Sequence, residues 1–96
     1  MDQKPAERFD SVWDALTDTP EQAENMKLRA ALMTALRDYI TRHSLTQAQA
    51  AKLLHVTQPR VSDLTKGKIH LFGLDSLVNM AAAAGLHLSL SVTESA

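Results

Sequence analysis

Two helix-start signals stand so close together that little but a pair of short, crossed helices can join them. Thr46-Gln47-Ala48-Gln49 has threonine followed three residues later by glutamine, a capping box in which each side chain bonds the other's backbone N–H. Thr57-Gln58-Pro59 follows directly. Threonine can cap there, and Pro59 falls in the first turn, where its missing N–H is one that no helix would use. Gln47 to Leu54 is therefore predicted as a helix of about two turns. His55-Val56 is the break, and a further helix runs from Thr57 to about Lys66, stopped by Gly67. Ala50 and Ala51 stand where the two would cross, small enough to let backbones approach. Leu54, Val56, Val61 and Leu64 fill the space beneath. This is the layout of a helix-turn-helix.

The rest of the chain reads as a scaffold for that pair. Its 96 residues suffice for one domain with one modest core. Thr19-Pro20-Glu21-Gln22 is another helix start, opening a long helix to about His43 with the apolar stripe Leu28, Leu32, Met33, Leu36, Tyr39 and Ile40. Ser44-Leu45 is a tight link. Asp75 is expected to cap a fourth helix ending at Gly85. Phe9, Val12, Trp13 and Leu16 share a face on a short acidic helix within 5–18. The tail Leu86-His87-Leu88-Ser89-Leu90-Ser91-Val92 alternates strictly, which predicts a strand. A lone strand needs a partner. Either a second copy of the chain supplies it, with Leu86, Leu88, Leu90 and Val92 forming a dimer contact, or the strand folds back on its own domain. The fold class expected is mainly α: a helix-turn-helix bundle of four to five helices with a C-terminal β-strand. The organisation expected is an acidic segment over 1–18, the bundle over 19–85 and a dimerisation strand and tail over 86–96.

The charge pattern separates these regions. Residues 1–25 hold seven acids and two bases, residues 26–70 eight bases and two acids, and residues 71–96 two acids and no base. An acidic head beside a basic middle points to two surfaces with different partners. The chain has no cysteine, which removes disulfides, thiolate metal sites and cysteine nucleophiles and suits a reducing, cytoplasmic setting. No apolar run approaches the roughly 20 residues of a membrane span. The N-terminal decapeptide has no apolar signal-peptide core.

In a helix-turn-helix the second helix enters the DNA major groove and its N-terminal residues meet base edges. Here Gln58, Arg60, Ser62, Asp63 and Lys66 lie outward, with Thr57 at the helix start. Arginine can bind guanine and glutamine adenine through paired hydrogen bonds. Asp63 can accept from cytosine, or orient Arg60 or Lys66. Gln47 can present itself and the helix N-terminus to a phosphate. Lys66 and Lys68 read as phosphate contacts, with Lys52 a weaker candidate. His55 stands in the turn between the two helices, where a left-handed conformation costs a non-glycine residue about 1–2 kcal/mol, so the turn is either left-handed at that cost or reshaped.

These residues also carry a resemblance. Leu45-Thr46-Gln47, Ala50-Ala51, Leu54, Val56 and Thr57 to Lys68 resemble the helix-turn-helix of the phage Cro-type repressors, the XRE family, with its lambda-repressor-like fold. Gln58 to Ser62, with Phe72-Gly73-Leu74-Asp75-Ser76-Leu77, are similar to its HigA-like antitoxin members. The resemblance implies a homodimer that binds double-stranded DNA at its own operator. It further implies neutralisation of a small basic toxin, a ribonuclease of the HigB/RelE type. A stand-alone repressor without a toxin shares all the DNA features. A scaffold that has lost DNA contact is a third reading, against which Arg60, Lys66 and Lys68 argue. On the toxin reading, Phe9, Val12, Trp13 and Leu16 form the docking face, anchored by Trp13; the same face can instead pack on the long helix.

Other chemistry has no comparable support. His43, His55, His70 and His87 do not have metal-ligand spacing on one helix. No nucleophile elbow, glycine-rich phosphate loop or paired carboxylates with a histidine are present, so no enzyme, metal or cofactor is expected.

Overall fold

A computed structural model of the chain describes residues 19–94. Four α-helices are present among them: α1 (Pro20–Arg42), α2 (Gln47–Leu54), α3 (Gln58–Thr65) and α4 (Leu74–Ala83). A single 3₁₀ turn, Ile69–Leu71, joins α3 to α4. The expected amphipathic helix within 5–18, with Phe9, Val12, Trp13 and Leu16, lies outside the described residues.

Each helix begins much as its local sequence dictates, with two exceptions. The Thr19 hydroxyl accepts from the Gln22 N–H at 3.1 Å, and Pro20 opens α1. At α2 both halves of the capping box form: the Gln49 N–H donates to Thr46 Oγ1 at 3.1 Å, and the Thr46 N–H to Gln49 Oε1 at 2.9 Å. Thr57 holds the cap position of α3, but its side chain makes no capping hydrogen bond. A capping side chain bonds the N–H of the second or third helical residue, and the second here is Pro59, which has none. At α4 the expected cap, Asp75, stands inside the first turn, and the cap position belongs to Gly73. Asp75 still suits that end, where a carboxylate meets the positive pole of the helix.

All four helices end through a residue in left-handed conformation: Ser44 (φ 51°), His55 (φ 60°), Gly67 (φ 75°) and Gly85 (φ 82°). After α3 the Gly67 N–H bonds Leu64 O and the Lys68 N–H bonds Asp63 O. After α4 Gly85 and Leu86 repeat the pattern on Ala82 and Ala81, and after α1 Ser44 and Leu45 do so on Thr41 and Ile40. This is the Schellman arrangement, which satisfies carbonyls that a helix end leaves unpaired.

The core draws on every helix. Met33, Leu36 and Ile40 of α1 meet Ala50, Ala51 and Leu54 of α2, Val61 and Leu64 of α3, and Leu77, Met80 and Ala81 of α4, with Phe72 at the centre. α1 packs along α4, α2 packs against α3, and Ala50 and Ala51 of α2 are buried in the core. The stripe of α1 splits: its second half enters this core, whereas Leu28 stays 39% exposed.

The tail corrects one expectation. No strand is present among the described residues, and residues 86–94 have no regular structure. The alternation of Leu86, Leu88, Leu90 and Val92 gives a strand its two faces but not its hydrogen bonds, which a neighbouring strand must supply; the described chain offers none. Leu86 packs against the core, while Leu88, Leu90 and Val92 are 49%, 76% and 84% exposed. No helix among the described residues is long and apolar enough to cross a membrane.

Candidate nucleic-acid interface

The outward edge of α3 is built by the same packing that buries its inward edge. Val61 and Leu64, three residues apart, face the core. Thr57 and Gln58 are left fully at the surface, and Ser62 and Asp63 half so. Because no N–H of its own helix holds the Thr57 hydroxyl, the group is available to an outside acceptor or donor. Gln47 is exposed at the first position of α2.

The expected contact residues are at least partly exposed, and Arg60 stands in a different environment from the others. Its guanidinium carbon lies 4.0 Å from the centre of the Phe72 ring. One of its N–H groups donates to the Leu71 carbonyl at 2.9 Å, and another to Ser76 Oγ at 3.5 Å. A planar cation on an aromatic face is held by the negative charge of the ring's π cloud. The side chain ties α3 to the start of α4. Asp63 orients neither Arg60 nor Lys66; its carboxylate lies 3.6 Å from Lys68 Nζ. Lys66 is exposed and has no ion pair among the described residues.

Of the two conformations open to the turn, His55 takes the left-handed one, with φ 60° and ψ 42°. Its ring is exposed at the surface between α2 and α3.

Two residues of the long helix complete the surroundings, and neither carries a signal in the sequence. Arg29 donates to Ile69 O at 3.3 Å and Phe72 O at 3.4 Å, while Asn25 Oδ1 holds its Nε at 2.6 Å. Arg29 and Arg60 therefore grip the 3₁₀ turn from opposite helices, taking the carbonyls of Ile69, Leu71 and Phe72. Arg37 reaches the other end of the same connection, above Gly67. These pairings span up to 43 residues, so no local pattern could announce them.

Comparison with known proteins agrees with this geometry. A sequence family described as a helix-turn-helix domain matches residues 15–93. The chain is similar to a solved structure described as an XRE-family transcriptional regulator, with 30% identity and a TM-score of 0.69 over 76% of this chain and 82% of that one. No curated protein matches the sequence.

Proposed function

We propose, for a chain that belongs to the helix-turn-helix domain family and is a DNA-binding regulator of the XRE type, the finer role of an autoregulating antitoxin. It binds the operator of its own operon and neutralises a small basic toxin of the HigB/RelE type, in the cytoplasm. The observation that carries the DNA half is the outward edge of α3, where Gln58 is exposed, the Thr57 hydroxyl is unclaimed by its helix, and Lys66 and Lys68 follow. Gln58 and Ser62 then meet base edges. Gln47, Thr57, Lys66 and Lys68 contact phosphates, which fix the register. Asp63 holds Lys68, and Arg60 holds the angle of α3 to α4. The toxin half is supported by the charge division of the chain and by the Phe9, Val12, Trp13 and Leu16 face in its acidic segment.

Fluorescence anisotropy with DNA upstream of the gene, at several salt concentrations, tests the first half. Tight binding that falls with salt and loses preference at one base pair in Gln58→Ala is the expected result. For the second half, Trp13→Ala weakens capture of the neighbouring gene product and leaves operator binding intact. Full retention of both activities would remove this face as the toxin site. A stand-alone repressor is the alternative, and the absence of an adjacent reading frame for a small basic protein would favour it.

A further inference from the structure

Arg37 lies on α1, outside the two helices of the reading unit, yet its guanidinium sits directly over Gly67. A Cβ on that glycine would stand 3.2 Å from Arg37 Nη1 and 3.8 Å from Cζ. Gly67 is thus constrained twice, by its φ of 75° and by this close approach. Its chain neighbours are Lys66 and Lys68, both exposed. The backbone N–H groups of residues 66–69 are all spent on Ser62, Leu64, Asp63 and Gly67 carbonyls, so any pull on an anion here comes from side chains. Arg37 has no hydrogen bond or ion pair among the described residues. The acid beside it, Asp38, is taken by Arg42 at 3.0 Å. Asp63, the remaining acid, meets Lys68 at 3.6 Å with that lysine's side chain still 45% exposed. Arg37 therefore lies over a glycine flanked in the chain by two exposed lysines, one of them paired with Asp63.

We propose that Arg37, Lys66 and Lys68 together form a seat for one backbone phosphate of the DNA that α3 reads. The proposal rests on the DNA-binding reading and extends it to a residue of α1. Its geometry fits a duplex. α3 has eight residues and so is about 12 Å long, and in this motif it is the N-terminal part of the second helix that meets base edges. With Gln58 among the bases, the Gly67 end stands at the groove wall, where phosphates run. Arginine suits the place because its planar fork can donate two parallel bonds to phosphate oxygens. A cation at this end also favours the negative pole of α3, so the test must separate a phosphate contact from helix-end stabilisation.

The full-length chain, Arg37→Ala, Arg37→Lys and Lys66→Ala are compared by anisotropy on the operator duplex and on a scrambled duplex across a salt series, with thermal unfolding alongside. The expected result for Arg37→Ala is the same several-fold loss on both duplexes, with the slope of log affinity against log salt reduced by about 0.9. Arg37→Lys keeps the slope. A folded Arg37→Ala with the wild-type slope, while Lys66→Ala reduces it, overturns the seat and leaves the DNA reading standing. A lowered melting temperature with an unchanged slope overturns it equally, since only the helix end was served. If the full-length chain shows no salt-dependent binding to either duplex, the DNA reading fails and the seat with it.

Discussion

Arg60 shows how far one side chain's role depends on residues distant in the chain. From its place on α3 it reads as a guanine contact, but its hydrogen bond to the Leu71 carbonyl and its stacking on Phe72 engage the guanidinium. A charge-assisted hydrogen bond contributes about 1.5–3 kcal/mol, and the cation–π contact adds something on the order of 0.5–1 kcal/mol. Arg60→Ala should therefore destabilise the domain by about 2–4 kcal/mol, a loss that thermal unfolding reads as on the order of ten degrees or more. Its operator affinity should fall in equal proportion for every single-base variant of the site. Relaxed preference at one G·C pair, with stability unchanged, would return Arg60 to base reading. His55 offers the opposite experiment. Its left-handed backbone costs a residue with a Cβ about 1–2 kcal/mol, partly offset because glycine loses about 0.5–1 kcal/mol more entropy on folding. His55→Gly should raise the melting temperature by a few degrees and retain DNA binding. A clear fall in melting temperature would mean that the imidazole makes a contact worth more than the strain.

The helices differ in how their starts are held, and that difference can be measured. Thr46→Ala removes a complete capping box from α2 and should cost about 1 kcal/mol. Thr57→Ala removes a hydroxyl that bonds nothing in its helix, so stability should change little while DNA affinity drops. Equal losses of stability in both variants, by chemical or thermal denaturation, would show that Thr57 caps after all. The helices themselves were legible in the sequence because caps, stripes and stops are local: Thr19, Pro20 and the Thr46–Gln49 pair mark their starts as expected. Ser44 was not, since a serine gives no sign that it will take a left-handed conformation. The 3₁₀ turn was hidden too, because what holds it, Arg29 and Arg60, comes from other helices. In the tail, alternation was misleading: a side-chain period is local, whereas the ladder that makes a strand is not, and residues 86–94 form none.

At the scale of the whole molecule, the outward edge of α3 carries the residues proposed to read DNA, and an apolar surface lies where the first half of α1 meets the start of α4. Leu28, Leu32, Leu74 and Val78 line a groove of about 400 Å³ whose outer wall is Leu88 and Leu90 of the tail. We propose that this apolar surface, with Val92, meets the same surface of a second copy, consistent with the paired reading helices that DNA half-sites about 34–36 Å apart require. A contact between identical patches is the usual way two copies of one chain close. Leu88→Ser and Leu90→Ser combined should leave the melting temperature of the isolated domain nearly unchanged, because these residues are already 49% and 76% exposed. They should lower the sedimentation-equilibrium mass from two chains to one and reduce operator affinity steeply, since each chain then binds its half-site alone. Leu86→Ser differs in kind: that side chain packs on the core, so it should lower stability itself. If the wild-type chain sediments as one chain, or the double variant keeps a wild-type mass of two chains, the tail and groove are not a dimer contact.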